Sequence, residues 1–172
     1  PDLVHLDAAD AYAQQQVYAF LASKNMDMLH MQQAVCMYSS RAKRLVLGLT
    51  GDTGAAYLGR SIVGAQQKSV QYSTPVAGFP TYVKAGEGSK VVITEDIFSA
   101  LKVQWACPDV QAVCSLGTKL SDALVMYLMT RGDPAVIFYD GDKAGVSGAE
   151  KGKRRLCGLG LAATAVTVHG FD

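Results

Sequence analysis

The stretch VIFYDGDKAGVSG, residues 136–148, decides the fold of this chain. An apolar strand ends at Asp140 and Asp142, and small residues then lead directly into a helix. Gly141 lets the backbone turn between the two carboxylates, so both project from the strand end toward the same side. Mg²⁺ binds few protein carboxylates and completes its shell with water and substrate phosphates. The stretch therefore predicts a magnesium site in an α/β domain that handles phosphates.

The composition indicates a chain that can bury a core. It has 172 residues, 49% of them hydrophobic, which fits one domain or two small ones. No run approaches the roughly 18 apolar residues of a membrane span, and the start resembles no signal peptide. We therefore expect a cytoplasmic protein with no membrane partner. Because the chain starts at Pro1 and stops at Asp172 directly after a strand pattern, we also expect a fragment.

The net charge of +1 does not by itself indicate a polyanion binder. A nucleic-acid surface would require local segregation of charge. The densest basic cluster is Lys151, Lys153, Arg154 and Arg155, a pattern that is equally typical of a solvated helix face.

The cysteines and histidines exclude a zinc ribbon or finger, because no pair has CxxC spacing and the histidines are scattered. We expect the cysteines to be buried free thiols. They are Cys36, Cys107, Cys114 and Cys157.

Residues 1–85 are predicted to form a small helical and hairpin domain. Helical spacing covers residues 8–20 and 25–37. Two apolar runs, residues 45–50 and 55–63, flank a glycine-rich turn and predict a β-hairpin. Two prolines favour irregular structure over residues 66–83.

Residues 86–172 are predicted to form a second domain, because the composition shifts at AGEGSK, residues 85–90, toward alternating strand and helix. Apolar strand runs this continuous favour parallel strands covered on both faces. Ser121 can cap one of the helices. The predicted strands are residues 91–94, 110–116, 135–140 and 164–168, and the predicted helices are residues 97–105, 122–130 and 143–159. Phe98 and Trp105 are expected in the core.

Glu95 ends the first of these strands as Asp140 ends the third. In a doubly wound sheet of order 2-1-3-4 those strands are neighbours, and ligands bind beyond the carboxyl ends of the strands. We therefore expect Glu95, Asp140 and Asp142 to converge at one edge of the sheet.

These residues resemble the TOPRIM fold of primases, topoisomerases and some nucleases, whose signature is a strand-terminal Glu and a later DxD. The DGDKAG form is most similar to bacterial DNA primases and phage primase-helicases, and SLGTKLS, residues 115–121, resembles the primase GT loop. The resemblance implies an α/β fold: a TOPRIM domain with a four-stranded, mainly parallel sheet flanked by helices, truncated at its C-terminus and preceded by a small α+β subdomain.

The resemblance extends upstream and also shows departures. RLVLGLTGDTGAAYLGR, residues 44–60, followed by QYSTP, residues 71–75, resembles the subdomain that precedes TOPRIM in primases. Gln71 stands where a lysine is usual, with Lys68 as the candidate substitute. Ser99 stands where the family has an acid, and Asp96 partly replaces that charge.

The resemblance implies synthesis of RNA primers on single-stranded DNA, with Mg²⁺ as the cofactor and Mn²⁺ as a substitute. Its implied partners are the template, nucleoside triphosphates and a replicative helicase, fused or separate. The implied catalytic residues are Glu95, Asp140 and Asp142, and the implied metal ligands are these three with Asp172. The implied nucleotide and template contacts are Arg60, Lys68, Lys143, Gly117 and Thr118.

Other interpretations remain open at this point. A TOPRIM nuclease would use the same acids to activate water, and a non-catalytic module would bind nucleic acid or assist assembly. GAAYLGRS, residues 54–61, resembles a Walker A loop, but Arg60 replaces its lysine and the segment has a strand pattern.

Overall fold

The structure is a computed structural model that describes residues 2–64, 67, 69–72 and 78–168. The chain divides into two compact units, Pro1–Pro80 and Thr81–Asp172. The boundary predicted between residues 85 and 86 lies at the end of a strand of the second unit, Val83–Ala85. Within the described ranges, every helix is too short or too polar to cross a bilayer.

The first unit contains an antiparallel sheet and one α-helix. Its strands pair in chain order and are β1 (Leu3–His5), β2 (Val35–Ser39), β3 (Arg44–Gly51), β4 (Gly54–Ser61) and β5 (Ser69–Tyr72). Helix α1 (Ala11–Ala22) begins after Asp10, whose carboxylate accepts a hydrogen bond from the Ala13 N–H at 2.8 Å. Short 3₁₀ helices span Leu6–Ala8 and Met28–Met31. The structure confirms the first predicted helix and the hairpin, and the segment that resembles a Walker A loop is strand β4.

Two predictions for the first unit are wrong. Residues 25–37 form one 3₁₀ turn and then enter β2, because pairing with the buried strand β3 provides backbone hydrogen bonds and burial that outweigh the weak helical pattern. The segment predicted to be irregular contains β5, which pairs with β4 ahead of the first proline. In both places strand pairing, rather than the local spacing of apolar residues, decides the structure.

The second unit contains a mainly parallel sheet in the order β6-β8-β7-β9-β10. Strand β6 (Val83–Ala85) is antiparallel, and the parallel strands are β7 (Lys90–Thr94), β8 (Val110–Cys114), β9 (Ala135–Asp140) and β10 (Ala163–Val168). The helices are α2 (Ile97–Ala106), α3 (Asp122–Arg131) and α4 (Lys143–Gly158). The predicted order 2-1-3-4 is confirmed for the parallel strands, and Ser121 caps α3 by accepting from the Leu124 N–H at 3.1 Å.

The two faces of this sheet are covered unequally. Helices α3 and α4 contribute to one hydrophobic core with alternate residues of the sheet, whereas α2 packs on β7 and β8 with a separate set of buried residues. All of β8 is buried, but Val136 of β9 and Val166 of β10 are 36% and 41% exposed. The prediction of two covered faces is therefore wrong for β9 and β10, where α4 covers one face and the other face meets solvent.

Further corrections concern individual side chains. Phe98 is buried as expected, but Trp105 is 48% exposed, because it lies on the outer side of the last turn of α2. The cysteines are free, yet Cys107 and Cys157 are exposed rather than buried. Burial raises the pKa of the Cys114 thiol to about 12.

Candidate catalytic site at the carboxyl edge of the sheet

The strand register of the second unit brings the predicted acids to one edge. Strands β7 and β9 are parallel neighbours, and Thr94 pairs with Phe138. Glu95 directly follows β7 and Asp140 is the last residue of β9, so both carboxylates leave the sheet at its carboxyl edge. Asp142 lies at the start of α4, two residues further along. The structure therefore brings the three acids together, as the strand order predicts.

The pKa values of these carboxylates indicate that they repel one another. The pKa of Glu95 is raised, first by burial and then by the negative charges of Asp140, Asp142 and Asp96. The pKa of Asp140 is raised by burial and by the charges of Asp96 and Asp142. Mutual repulsion of this kind disfavours the ionised forms and is relieved by a cation.

One oxygen of this cluster has no hydrogen-bond partner in the described part of the chain. Glu95 Oε2 is buried and has no hydrogen bond to any described residue. A buried carboxylate oxygen without a partner is costly, and a divalent cation would satisfy it while offsetting the neighbouring charges. Among the described residues, no three Asp, Glu, His or Cys side chains stand close enough to form a ready-made cation cage. The carboxylate oxygens nevertheless suit Mg²⁺ or Mn²⁺, which keep several water ligands.

Asp142 is held by the first turn of α4. Its carboxylate caps the helix and accepts a hydrogen bond from the Gly145 N–H at 2.7 Å. A Cβ atom on Gly145 would lie 3.0 Å from the carbonyl carbon of Asp140 and closer still to the carbonyl oxygen. Glycine at this position therefore allows α4 to start directly against the end of β9, and this close approach sets where both aspartates stand.

Asp96 has a structural role in the same cluster. It caps α2, accepting from the Phe98 N–H at 2.8 Å and from the Ser99 hydroxyl at 2.5 Å. Ser99, which stands where the resembling family has an acid, therefore supports Asp96. The Asp96 charge lies near enough to Glu95 and Asp140 to raise the pKa of both.

The loop after β8 is hydrogen-bonded to the end of β7, next to Glu95. The Gly117 N–H donates to the Glu95 carbonyl at 3.0 Å, and the Ser115 N–H donates to the Thr94 carbonyl at 2.9 Å. The backbone takes left-handed φ values of 55° at Leu116 and 140° at Gly117, which this sharp loop requires. Gly117 therefore positions the loop through its backbone, and its N–H group is already used in the hydrogen bond to Glu95.

Two buried hydroxyls behind the acids were missed by the sequence interpretation. The Ser115 and Tyr139 hydroxyl oxygens lie 2.7 Å apart, and Ser115 Oγ also lies 2.9 Å from the Thr94 carbonyl oxygen. Burial raises the pKa of Tyr139 to about 12, which keeps this hydroxyl protonated. The alternation of buried and exposed residues in β9 could have predicted that Tyr139 is buried, since it shares the inward face with Ala135 and Ile137. No local sequence pattern indicates that Ser115 is its partner.

The remaining predicted contacts are distributed over the chain. Lys143 is exposed on the first turn of α4, and Thr118 is half-buried in the loop beside that helix. Arg60 belongs to β4 of the first unit, where its guanidinium donates to the Ser69 hydroxyl at 2.7 Å. Lys68 and Asp172 lie outside the described residues.

Comparisons with known proteins agree with this architecture. Residues 93–172 match a family model described as Toprim-like. The structure is similar to that of the Aquifex aeolicus primase, zinc-binding and RNA polymerase domains, with 20% identity and a TM-score of 0.64 over 99% of this chain and 46% of that one. It is also similar to the RNA polymerase domain of Mycobacterium tuberculosis primase DnaG in complex with double-stranded DNA, with 14% identity and a TM-score of 0.73 over 98% of this chain and 70% of that one.

A Pseudomonas aeruginosa DNA primase domain matches with 15% identity and a TM-score of 0.63, over 84% of this chain and 51% of that one. No curated protein sequence matches this chain. The chain spans about half the length of the Aquifex and Pseudomonas structures. Its fold is that of primase catalytic cores, with a Toprim-like second half.

Proposed function

We propose that this chain, whose residues 93–172 are a Toprim-like domain, is the RNA polymerase core of a DNA primase. The observation that carries the proposal is the placement of Glu95, Asp140 and Asp142 at the same edge of neighbouring parallel strands, where a buried Glu95 oxygen has no partner among the described residues. The similarity of fold to primase catalytic cores supports it.

The reaction joins the 3′ hydroxyl of one nucleotide to the α-phosphate of the next, and pyrophosphate leaves. When bound, Mg²⁺ lowers the pKa of the hydroxyl and offsets negative charge on the reacting phosphate. Asp140 and Asp142 would hold the ion, and Glu95 would be a further ligand or the proton acceptor.

Other residues would bind the substrates. Lys143 is exposed beside the DGD turn, where its ammonium group can neutralise a phosphate. Arg60 and Lys68 would contact the nucleotide or template. Gly117 and Thr118 would shape the loop that contacts these substrates. Asp172 would add a metal ligand.

The partners proposed for the whole protein are single-stranded DNA, nucleoside triphosphates and a replicative helicase, fused or separate. Its expected location is the cytoplasm, that of the bacterial host if a phage encodes it. Use of Mg²⁺, with Mn²⁺ as a substitute, follows from the all-carboxylate character of the acid cluster.

A template-directed assay tests the function. The chain is incubated with single-stranded DNA, labelled ribonucleoside triphosphates and Mg²⁺, and the products are separated by size. Labelled oligoribonucleotides that require both template and Mg²⁺ are expected from the unaltered chain, and Glu95→Gln should remove them while leaving the circular dichroism spectrum unchanged. Shortened template without new oligoribonucleotides would identify a nuclease and refute primer synthesis.

Metal binding is tested separately from synthesis. Mg²⁺ at 100 times its dissociation constant should stabilise the folded chain by about 2.7 kcal/mol, because only the folded state gathers the carboxylates. Asp140→Asn and Asp142→Asn should remove that gain in thermal unfolding. Unchanged stabilisation in both variants would place the metal elsewhere and would favour a non-catalytic module.

A further inference from the structure

A groove of about 530 Å³ lies between α4 and the segment that follows the loop after β8. Thr118 and Lys119 line one side, and Ser147, Lys151 and Arg155 line the other. The volume falls in the range of sites that bind small molecules or short polymer segments. The groove belongs entirely to the second unit.

Two glycines of α4 bring the sides of this groove together. A Cβ on Gly148 would lie 2.5 Å from the Thr118 carbonyl oxygen, and a Cβ on Gly152 would lie 3.2 Å from Leu120 Cδ1. These positions recur every four residues and so share one face of the helix. They are buried where α4 packs closely against Thr118 and Leu120, and this close packing sets the bottom of the groove.

The polar groups of the groove favour an anion. Lys119, Lys151 and Arg155 contribute cations, and no acidic residue lines the groove in the described part of the chain. Arg155 closes the far end by donating to the Leu120 carbonyl at 2.8 Å and to the Asp122 carboxylate at 2.5 Å. Lys119 and Lys151 are exposed, and Thr118 and Ser147 add hydroxyl groups to the lining.

The groove begins beside the acid cluster and leads away from it. Its first helical lining residue, Ala144, comes two residues after Asp142, and its last is Arg155. At 1.5 Å per residue these two positions are about 16 Å apart along α4. A length of this kind suits consecutive phosphates along a strand better than one isolated phosphate.

We propose that this groove binds the sugar-phosphate backbone of a single nucleic-acid strand next to the acid cluster. Lys119 and Lys151 neutralise two phosphates, and the hydroxyls of Thr118 and Ser147 donate hydrogen bonds to phosphate oxygens. The proposal rests on the proposed function, to which it adds a path for the strand.

The test compares two double variants with the same change in charge. Lys119→Gln/Lys151→Gln alters the groove, whereas Lys90→Gln/Lys102→Gln alters the amino end of β7 and helix α2, outside the groove. Fluorescence anisotropy measures binding of a labelled single-stranded oligodeoxynucleotide between 50 and 200 mM NaCl in the presence of EDTA, roughly the range over which phosphate contacts dominate the salt dependence. Thermal unfolding checks that all variants are folded.

Each phosphate contact to a single strand adds about 0.7 to the slope of log affinity against log salt. The groove variant should therefore have a slope shallower by about 1.4 and bind about 25-fold more weakly at 0.1 M salt, whereas the control should stay within about twofold of the unaltered chain. Equal losses in both variants would refute the groove, as would undetectable strand binding by the unaltered chain. Normal strand binding with lost binding of ATP would show that the groove holds a nucleoside triphosphate, which also refutes the proposal.

The result is separable from that of the primer-synthesis assay, because strand binding in EDTA requires neither metal nor chemistry. A strand that binds in the groove without any template-directed product would refute the proposed function alone. Template-directed product with no effect of the groove variant on binding would refute the groove alone.

Discussion

Gly145→Ala should separate the start of α4 from the end of β9. The added Cβ would lie 3.0 Å from the Asp140 carbonyl carbon and nearer to its oxygen, whereas carbon and oxygen atoms normally meet at about 3.3–3.6 Å. The obstacle is backbone at the end of a buried strand, which cannot rotate away as a side chain can. Overpacking of this kind costs about 1–3 kcal/mol, and the rigid neighbour favours the upper half of that range.

For a chain of 172 residues, a loss of about 2–3 kcal/mol lowers the midpoint of thermal unfolding by about 4–12 °C. The measurement is circular dichroism at 222 nm with EDTA, so that metal binding does not contribute. Primer synthesis should also fall sharply, because Asp140 and Asp142 flank the displaced turn.

Gly158→Ala is the matched control, since it lies at the other end of the same helix and its Cβ would meet no atom within 4 Å. Its expected effect is between zero and a gain of about 1 kcal/mol, because alanine favours helix over glycine. A Gly145→Ala protein as stable as Gly158→Ala would refute the close-approach explanation.

Three further variants test other parts of the site. Burial and like charges raise the pKa of Glu95 in the folded chain, so its ionisation lowers the stability of the fold as pH rises through the folded pKa. Without metal, Glu95→Gln should therefore be as stable as the unaltered chain near pH 4 and more stable at pH 7. An equal difference in stability at both pH values would contradict this. Ser115→Ala leaves the buried Tyr139 hydroxyl and the Thr94 carbonyl with one hydrogen bond fewer and should cost about 1–3 kcal/mol in urea unfolding, a loss that Ser115→Thr should partly restore if the hydroxyl is responsible. Arg60→Ala should weaken nucleotide or template binding by more than it lowers stability, because its guanidinium bonds the Ser69 hydroxyl at an exposed site. Unchanged affinity would remove Arg60 from the binding surface.

The predictions that the structure confirms depend on patterns that neighbouring residues complete. Helices α2, α3 and α4 form where their spacing predicts, and α3 has the predicted cap, Ser121; the caps Asp96 and Asp142 are findings of the structure. The hairpin of β3 and β4 is confirmed in the same way, because its strands and turn lie within one short segment. Such features need little information from elsewhere in the chain.

The predictions that failed depend on how the elements pair and pack against one another. Residues 25–37 have weak helical spacing, and the pairing of β2 with β3 overrides it. The apolar runs of β9 and β10 predict coverage on both faces, but coverage depends on which helices cross the sheet. Trp105 is a further example, on helix α2. The spacing of apolar residues along the helix does not specify which of them other elements cover, and Trp105 is exposed.

The amino-acid sequence by itself determined the alternation of strands and helices after residue 90, and it determined that Glu95 and the DGD aspartates end strands. Its periodicity encodes these features locally, whereas the parallel order 2-1-3-4 was one of the orders that doubly wound sheets adopt and is confirmed by the structure. Only the tertiary structure decided that Ser115 and Tyr139 meet behind the acids, that Glu95 Oε2 is buried without a partner among the described residues, and that Gly148 and Gly152 let α4 pack closely against the segment that lines the cationic groove. Each of these depends on contacts between elements far apart in the chain, for which side-chain spacing along one element carries no signal.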